Sequence, residues 1–446
     1  TLCQNGFGGI LADDMGLGKT LQVIAFLLSS FEEGEEKRSL IISPASLVYN
    51  WENEIHRFAP ALPVRVLAGT AEERTEILKN GVPGEILVTS YETMRRDQEL
   101  YKGEDFFCEV IDEAQYIKNA GTKGARAVKS VSAQMKLALT GTPVENRLSE
   151  LWSIFDYLMP GFLYSYEHFK KNFEMPIMKK ENEDAMADLQ KMIRPFILRR
   201  LKKEVLSDLP DKIEKCVTIP LEGEQKKLYD AHVQRLKFML ENEEFANIRM
   251  QVLAELTRLR QLCCDPALIY QDYQEGAAKM ELCMELLNNA VNGGHKVLLF
   301  SQFTSMLGIL EKRMEEAGIG YYSLTGSTPK KERMELMEKF NRDATPVFCI
   351  SLKAGGTGLN LTGADVVIHY DPWWNVAAEN QATDRAHRIG QKRVVTVYKL
   401  VAEHTIEEKV VELQQKKKEL ADQVLSGEEM GSILFDREEL LKLFQN

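Results

Sequence analysis

Apolar residues along this chain fall into two spacings. Short apolar runs at Gly9–Ala12, Ser39–Ser43, Val64–Ala68, Glu85–Ser90, Glu109–Ile111 and Lys136–Thr140 read as strands. Between them, apolar positions recur at helical spacing; Leu47, Trp51, Ile55 and Phe58 form one such stripe behind Ser46, a candidate N-cap. Strand–helix alternation of this kind predicts a parallel sheet covered on both faces. From Glu150 to about Leu201 the pattern is helical and charged. A second helical block spans Gly223–Cys264, with Leu253, Leu256, Leu259 and Leu262 on an amphipathic stripe that reads as core. Alternation resumes with Lys296–Phe300, Tyr321–Leu324, Val347–Ser351, Val366–Tyr370 and Val394–Leu400. The last periodic stretch, Thr405–Leu425, is helical and charged, and Gly427 and Gly431 loosen the chain beyond it. Two α/β units separated by helical material are expected.

Length and composition narrow the class. A chain of 446 residues exceeds one ordinary core, and 44% hydrophobic with 28% charged residues describes a water-soluble globular protein. No apolar run approaches the roughly 18 residues of a membrane span, and the opening residues do not form a secretory signal. The seven cysteines are scattered without a C-x-x-C pair, which argues against zinc and structural disulfides and for a reducing, intracellular setting: cytoplasm and nucleoid, or nucleus. A net charge of −11 argues mildly against nucleic acid, but a DNA-binding protein needs only a local basic track. Two tracks exist. Lys191, Arg194, Arg199, Arg200, Lys202 and Lys203 lie in a stretch without acids, and Arg385, Arg388, Lys392 and Arg393 face the single acid Asp384. Either track also suits a solvated helix face.

Candidate chemistry begins at Asp13-Asp14-Met15-Gly16-Leu17-Gly18-Lys19-Thr20, which follows a strand and opens a helix, as a phosphate loop requires. Gly16 and Gly18 allow backbone N–H groups to curl around an anion, and the helix N-terminus adds its positive dipole end. Lys19 is expected to reach the β- and γ-phosphates, and the Thr20 hydroxyl to hold Mg²⁺. Asp13 stands where the simplest pattern has Gly. Asp112-Glu113-Ala114-Gln115 ends the run Phe106–Ile111; Asp112 is assigned to the metal and Glu113 to the general base. A pair of solvated turn acids is the plainer alternative, weakened by their place at a strand's carboxyl end. Arg385 and Arg388, three apart and expected on one helical face, are candidates to stabilise charge on a transferring phosphoryl group, with Arg388 as the finger.

Together and in this order these segments resemble the Swi/Snf-type family of superfamily-two, DNA-dependent ATPases, over nearly the whole chain. The resemblance rests on Gly9–Thr20, Pro44–Leu47 with Asn50-Trp51, Thr89-Ser90-Tyr91, Asp112–Gln115 and Leu139–Pro143 with Glu145-Asn146. Phe196–Arg200 with Leu209-Pro210, Phe300–Phe303, Ser351–Leu361, Asp371–Asn375 and Gln381–Gln391 complete it. It implies an α/β fold of two RecA-like parallel-sheet lobes, each with a helical protrusion, and a C-terminal brace helix. The corresponding boundaries are 1–150 for the first lobe, 151–210 for its protrusion, 211–276 for a crossover linker and the second protrusion, 277–404 for the second lobe, and 405–446 for the brace and tail. Family resemblance further implies use of ATP and Mg²⁺ and translocation along double-stranded DNA without strand separation. It places Ser90, Ser351, Lys353, Thr357 and Trp374 at DNA, Gly356 with the phosphate-loop residues 14–20 at the nucleotide, and Gln381 in the catalytic set. DNA-bound protein complexes are expected targets of a monomeric motor.

Two departures from the family pattern stand out: Gln115 replaces the commoner His, and Val376 stands where Pro is frequent. Only 12 residues precede Asp13, so Thr1 is expected to be an internal start, with the adenine-reading glutamine motif upstream of it. Competing readings are a strand-separating helicase with the same core, an ATP-binding switch without turnover, and, more remotely, a metabolic kinase.

Overall fold

The computed structural model describes residues 2–412 and 414–415, except 142–147, 181–182, 206–208, 243–244, 353–359 and 375. Two compact units divide the chain, one running to residue 207 and the other from residue 208. Each carries its own parallel sheet, in accord with the α/β fold of two parallel-sheet lobes.

The first unit's strands are β1 (Gly9–Leu11), β2 (Ser39–Ser43), β3 (Val64–Val66), β4 (Ile86–Ser90), β5 (Asp105–Asp112), β6 (Ser132–Leu139) and β7 (Ile197–Leu198), in the order β3-β4-β2-β5-β6-β1-β7 with every pair parallel. Continuous apolar strands need cover on both faces. Leu40 and Ile42 of β2 join one core cluster with Leu87 and Ile111, while the intervening Ile41 joins another with Val88 and Val110. Helix Val48–Phe58 closes the second cluster with Val48, Trp51 and Ile55, which share one stripe of the helix. This helix starts later than the pattern suggests. Ser46 lies in the preceding turn and does not cap it; Leu47 takes the N-cap position with no side-chain cap. Helices Leu148–Leu158, Tyr166–Phe169 and Glu183–Ile193 follow β6 and bury Leu151, Phe155, Phe169 and Leu189 in the first cluster before the chain returns as β7.

The second unit's strands are β8 (Lys212–Ile219), β9 (Val297–Ser301), β10 (Tyr321–Leu324), β11 (Val347–Ser351), β12 (Val366–His369) and β13 (Val395–Ala402), in the order β10-β11-β9-β12-β13-β8, again all parallel. Val297 and Leu299 serve one core cluster, Leu298 and Phe300 another, so this sheet too is covered on both faces. The long helices Gly223–Asn242 and Phe245–Cys264 build a cluster of their own around Leu236, Leu240, Val252 and Leu259. Residues 406–412 and 414–415 are helical and dock on this unit. There Lys279 Nζ donates to Glu407 at 2.6 Å with both side chains fully buried, and the Ile406 N–H donates to Tyr229 Oη at 2.8 Å.

Strands β7 and β8 have no counterpart in the apolar pattern. β7 is two residues long, and β8 is an edge strand whose side chains are mostly exposed, so neither needs an apolar run. Among the described residues no helix is long and apolar enough to cross a membrane, and no group of His, Cys, Asp or Glu clusters with metal-ligand geometry.

Candidate active site and nucleic-acid edge

The carboxyl ends of five neighbouring strands in the first unit collect the candidate residues. Leu11 of β1 and Asp112 of β5 both register with Leu139 of β6, so the phosphate loop and the acidic pair leave the sheet at one level. Ser43 of β2 registers with Ser90 of β4, extending the same edge. Ligands of open parallel sheets bind at such an edge.

Gly16 and Gly18 adopt φ of 85° and 77°, the left-handed region that favours glycine, and Gly18 is the N-cap of helix Lys19–Glu32 without a side-chain cap. An anion therefore meets an uncapped helix N-terminus, which fits a phosphate group. Lys19 Nζ donates to the Asp13 carbonyl at 2.6 Å and reaches the Asp14 carbonyl at 3.5 Å, so the ammonium already points into its own loop. Asp14, Met15, Leu17 and Thr20 are partly exposed around it.

Asp13 is wholly buried and takes a forked contact from Arg200: Nε lies 3.1 Å from both carboxylate oxygens and Nη2 lies 2.5 Å from Oδ2. Gln22 Nε2 donates to Asp13 Oδ2 at 3.1 Å, and Arg200 also donates to the Gln22 side-chain Oε1. Burial pushes the Asp13 carboxyl up, but the Arg200 and Gln22 hydrogen bonds and the Arg200 charge outweigh it and hold it below the ordinary value. Backbone bonds from Ala12 N to Leu198 O (2.7 Å) and Asp14 N to Arg200 O (3.1 Å), with Lys202 N to Asp14 Oδ2 (3.0 Å), bind the loop along the segment following β7. Part of the basic track 191–203 thus serves the phosphate loop rather than a solvated face.

Trp51 Nε1 donates to Asp112 Oδ2 at 2.9 Å from a fully buried indole, and Tyr91 Oη donates to the Asp112 carbonyl at 2.8 Å. Burial raises the Asp112 carboxyl above its ordinary value, against the opposing pull of the Trp51 bond, the Lys19 charge and the Glu113 N–H. Thr20 and Asp112 present the hard oxygen donors that Mg²⁺ takes, and the nearby Lys19 charge offsets part of the upward shift that burial imposes on Asp112. Glu113 sits at φ 54°, ψ 61°, an uncommon conformation for a residue with a side chain. Gln115 Nε2 donates to Glu113 Oε2 at 2.7 Å, and Gln115 Oε1 accepts from Thr140 Oγ1 at 3.3 Å. Gln115 therefore joins the acidic pair to the end of β6. Ser90, also buried, accepts the Thr93 N–H at 3.1 Å and caps helix Tyr91–Arg96.

In the second unit helix Val376–Thr383 carries the half-buried Gln381. The two arginines do not continue this helix, which corrects the expectation of one helical face: residues 384–390 form turns and a bend. The Leu361 N–H donates to the Arg385 carbonyl at 3.1 Å, and Gln391 Nε2 donates to the Ala386, Thr362 and Ala364 carbonyls at 3.0, 3.2 and 2.7 Å. The Arg385 and Ala386 carbonyls are thus turned toward partners outside a helix ladder. Arg385 is buried at 4% exposure, and Arg388 is half-buried. Ser351 is buried at the end of β11, and Trp374 is half-buried after β12. Lys353, Gly356 and Thr357 lie outside the described residues.

Residues 1–268 match the SNF2-related domain, and residues 278–390 match the helicase conserved C-terminal domain. The chain belongs to the SNF2-related family. It is 42% identical over 448 residues to an uncharacterized ATP-dependent helicase of Mycoplasma pneumoniae, covering 99% of this chain and 42% of that protein. To the putative ATP-dependent helicase/translocase YwqA of Bacillus subtilis it is 41% identical over 453 residues, covering 99% and 49%. The TATA-binding protein-associated factor MOT1 of Saccharomyces cerevisiae is 38% identical over 510 residues, covering 98% and 27%. The chain thus spans less than half the length of these relatives. Among solved structures, the Sulfolobus solfataricus SWI2/SNF2 ATPase core in complex with dsDNA is 40% identical, with 96% of this chain and 90% of that chain covered and a TM-score of 0.47.

Within this SNF2-related chain, the first sheet edge brings together Lys19, Thr20, Asp112, Glu113 and, further along, Ser90. The second unit carries Gln381 on helix Val376–Thr383 and Arg385 and Arg388 in the segment that follows it. Sequence patterns assign no individual role to Gln22, Gln391 or Arg260, and place Arg200 only in a basic run and in the family segment Phe196–Arg200. Trp51 reads as core, which it is, but its indole N–H also orients Asp112. The one available signal is Asp13 in a glycine position, since a buried acid there requires a cationic partner.

Proposed function

We propose that this chain hydrolyses ATP with Mg²⁺ and uses the energy to move along double-stranded DNA without separating its strands, remodelling protein–DNA complexes in an intracellular compartment. The observation that carries this reading is the common level at which the phosphate loop and Asp112-Glu113 leave the first sheet. Lys19 and the N–H groups after Gly18 bind the β- and γ-phosphates, and Thr20 with Asp112 holds the metal ion. When bound, Mg²⁺ supplies Lewis-acid neutralisation of phosphate charge.

Glu113 accepts the proton of the attacking water and Gln115 keeps its carboxylate aimed. Arg388, with Arg385 and Gln381, stabilises charge on the transferring phosphoryl group, a role worth about 10³- to 10⁵-fold in rate. Ser90, Ser351, Lys353, Thr357 and Trp374 contact DNA, and Gly356 approaches the nucleotide. Contacts to phosphates fix position without reading bases, so sequence preference is slight. Segment 151–210 acts as the first lobe's protrusion, 211–276 as linker and second protrusion, and the residues from 405 as a brace, in a motor that works as a monomer.

Phosphate release measured with and without duplex DNA tests the ATPase, and release of a third strand from a triplex, compared with unwinding of an annealed oligonucleotide, tests translocation. Triplex displacement without unwinding supports the reading. Unwinding of the annealed strand favours a helicase instead, and turnover indifferent to duplex DNA removes the motor.

A further inference from the structure

Arg260 belongs to helix Phe245–Cys264, and its side chain is buried at 5% exposure in the second unit. Its Nη2 donates to the Pro372 carbonyl at 2.5 Å and lies 3.8 Å from the Asp371 carboxylate. Its guanidinium carbon stands 5.6 Å from the Trp374 ring centre and 5.9 Å from that of Phe303. Asp371, wholly buried, accepts from Ser301 Oγ at 2.6 Å and from the Gln302 N–H at 3.3 Å. One guanidinium therefore holds the loop after β12 and, through Asp371, the loop after the neighbouring β9.

The rest of that loop is fixed by other elements. The Trp373 N–H donates to Glu379 Oε2 at 3.2 Å, and the Trp373 carbonyl accepts from Gln414, which also donates to Glu379 at 2.9 Å. Two successive peptide groups are thus clamped, and the Trp374 side chain beyond them rests against the Arg260 guanidinium. Guanidinium is suited to this because its plane covers a ring while its edge donates.

We infer that Arg260 is a positioning residue for duplex DNA: it sets the Pro372–Trp374 loop in a binding-competent conformation and makes the helical block 223–264 part of the DNA-binding apparatus without itself touching DNA. This rests on the duplex-DNA reading above. A preorganised loop binds without an ordering cost, so loosening it weakens association more than it slows bound-state chemistry.

The test compares wild type, Arg260→Lys and Arg260→Gln in two measurements: polarisation of a fluorescent 30-base-pair duplex (a length of about three helical turns) and ATP turnover against duplex concentration. The expected result is a rise of about tenfold in the Kd and half-saturating duplex concentration for Arg260→Gln, with turnover at saturating duplex within about threefold of wild type. Arg260→Lys, which keeps charge and one donor but not the plane, falls between. Unchanged duplex affinity in Arg260→Gln, or a loss confined to saturated turnover, overturns the inference. If Arg260→Gln does not fold, Arg260→Lys decides by the same criterion. Wild type that fails to bind duplex refutes the functional reading and the inference with it; wild-type binding with unaltered variants refutes the inference alone.

Discussion

Asp13 and Arg200 form a forked ion pair across 187 positions of sequence, with the carboxylate wholly buried beneath the phosphate loop. Removing one partner of such a pair leaves an uncompensated charge, which costs far more than the pair itself contributes. Arg200→Ala is therefore expected to raise the KM for ATP by about tenfold or more and to lower thermal stability, whereas Arg200→Ala combined with Asp13→Asn recovers most of the stability. Thermal unfolding with ATP titration checks this, and a double variant no more stable than Arg200→Ala contradicts the pairing.

Trp51 donates its indole N–H to the Asp112 carboxylate, and that bond opposes the effect of burial. Trp51→Phe keeps the ring in the core and removes the N–H. A lost hydrogen bond to a charged group amounts to roughly 1.5–3 kcal/mol, which predicts a rise of about ten- to a hundredfold in the Mg²⁺ concentration needed for half-maximal turnover. Unaltered Mg²⁺ dependence in a folded Trp51→Phe variant excludes this role.

Gln115 bridges Glu113 and Thr140 with both ends of its amide. Gln115→Ala is expected to lower kcat by about tenfold with little change in the KM for ATP, because it frees the base without touching the phosphate loop. A changed KM at constant kcat points instead to a binding role.

His369 is fully buried, stacked on Phe300, with Nε2 2.9 Å from Thr383 Oγ1. Burial lowers its pKa from 6.5 to about 4, against the partly compensating Glu379 charge. A depressed folded-state value means the unfolded chain binds more protons, so this group's contribution is present above pH 6.5 and is lost as pH falls toward 4. The loss amounts to roughly 3 kcal/mol at full titration. His369→Gln keeps a polar group toward Thr383 and is expected to flatten the fall in unfolding temperature between about pH 7 and about pH 5. Parallel pH profiles for variant and wild type rule this out.

Much of the fold is legible in the sequence because each signal is local. Apolar runs give β2, β4, β9 and β11 to within a residue of their observed bounds because strands buried on both faces must be apolar throughout. The phosphate loop and the acidic pair are each a contiguous segment, with the strand context of each visible in its own window. The features that escape a sequence reading depend on distant partners. Arg200 reads as part of a basic run and of a family segment until its return beside Asp13 is known, and Arg260 carries no sequence signal until Pro372 and Trp374 fold against it. Exposed β8 leaves no continuous apolar run. The segment bearing Arg385 and Arg388 reads as helix because the Leu361 N–H and Gln391 amide that hold its Arg385 and Ala386 carbonyls have no sequence signature.

In the proposed reaction Arg388 stabilises charge on the transferring phosphoryl group. ATP turnover by Arg388→Ala at saturating duplex DNA, with nucleotide affinity measured alongside, bears on this without intermediate steps. A fall of about a thousandfold or more with affinity within about threefold of wild type is predicted. Turnover near wild type contradicts that role for Arg388.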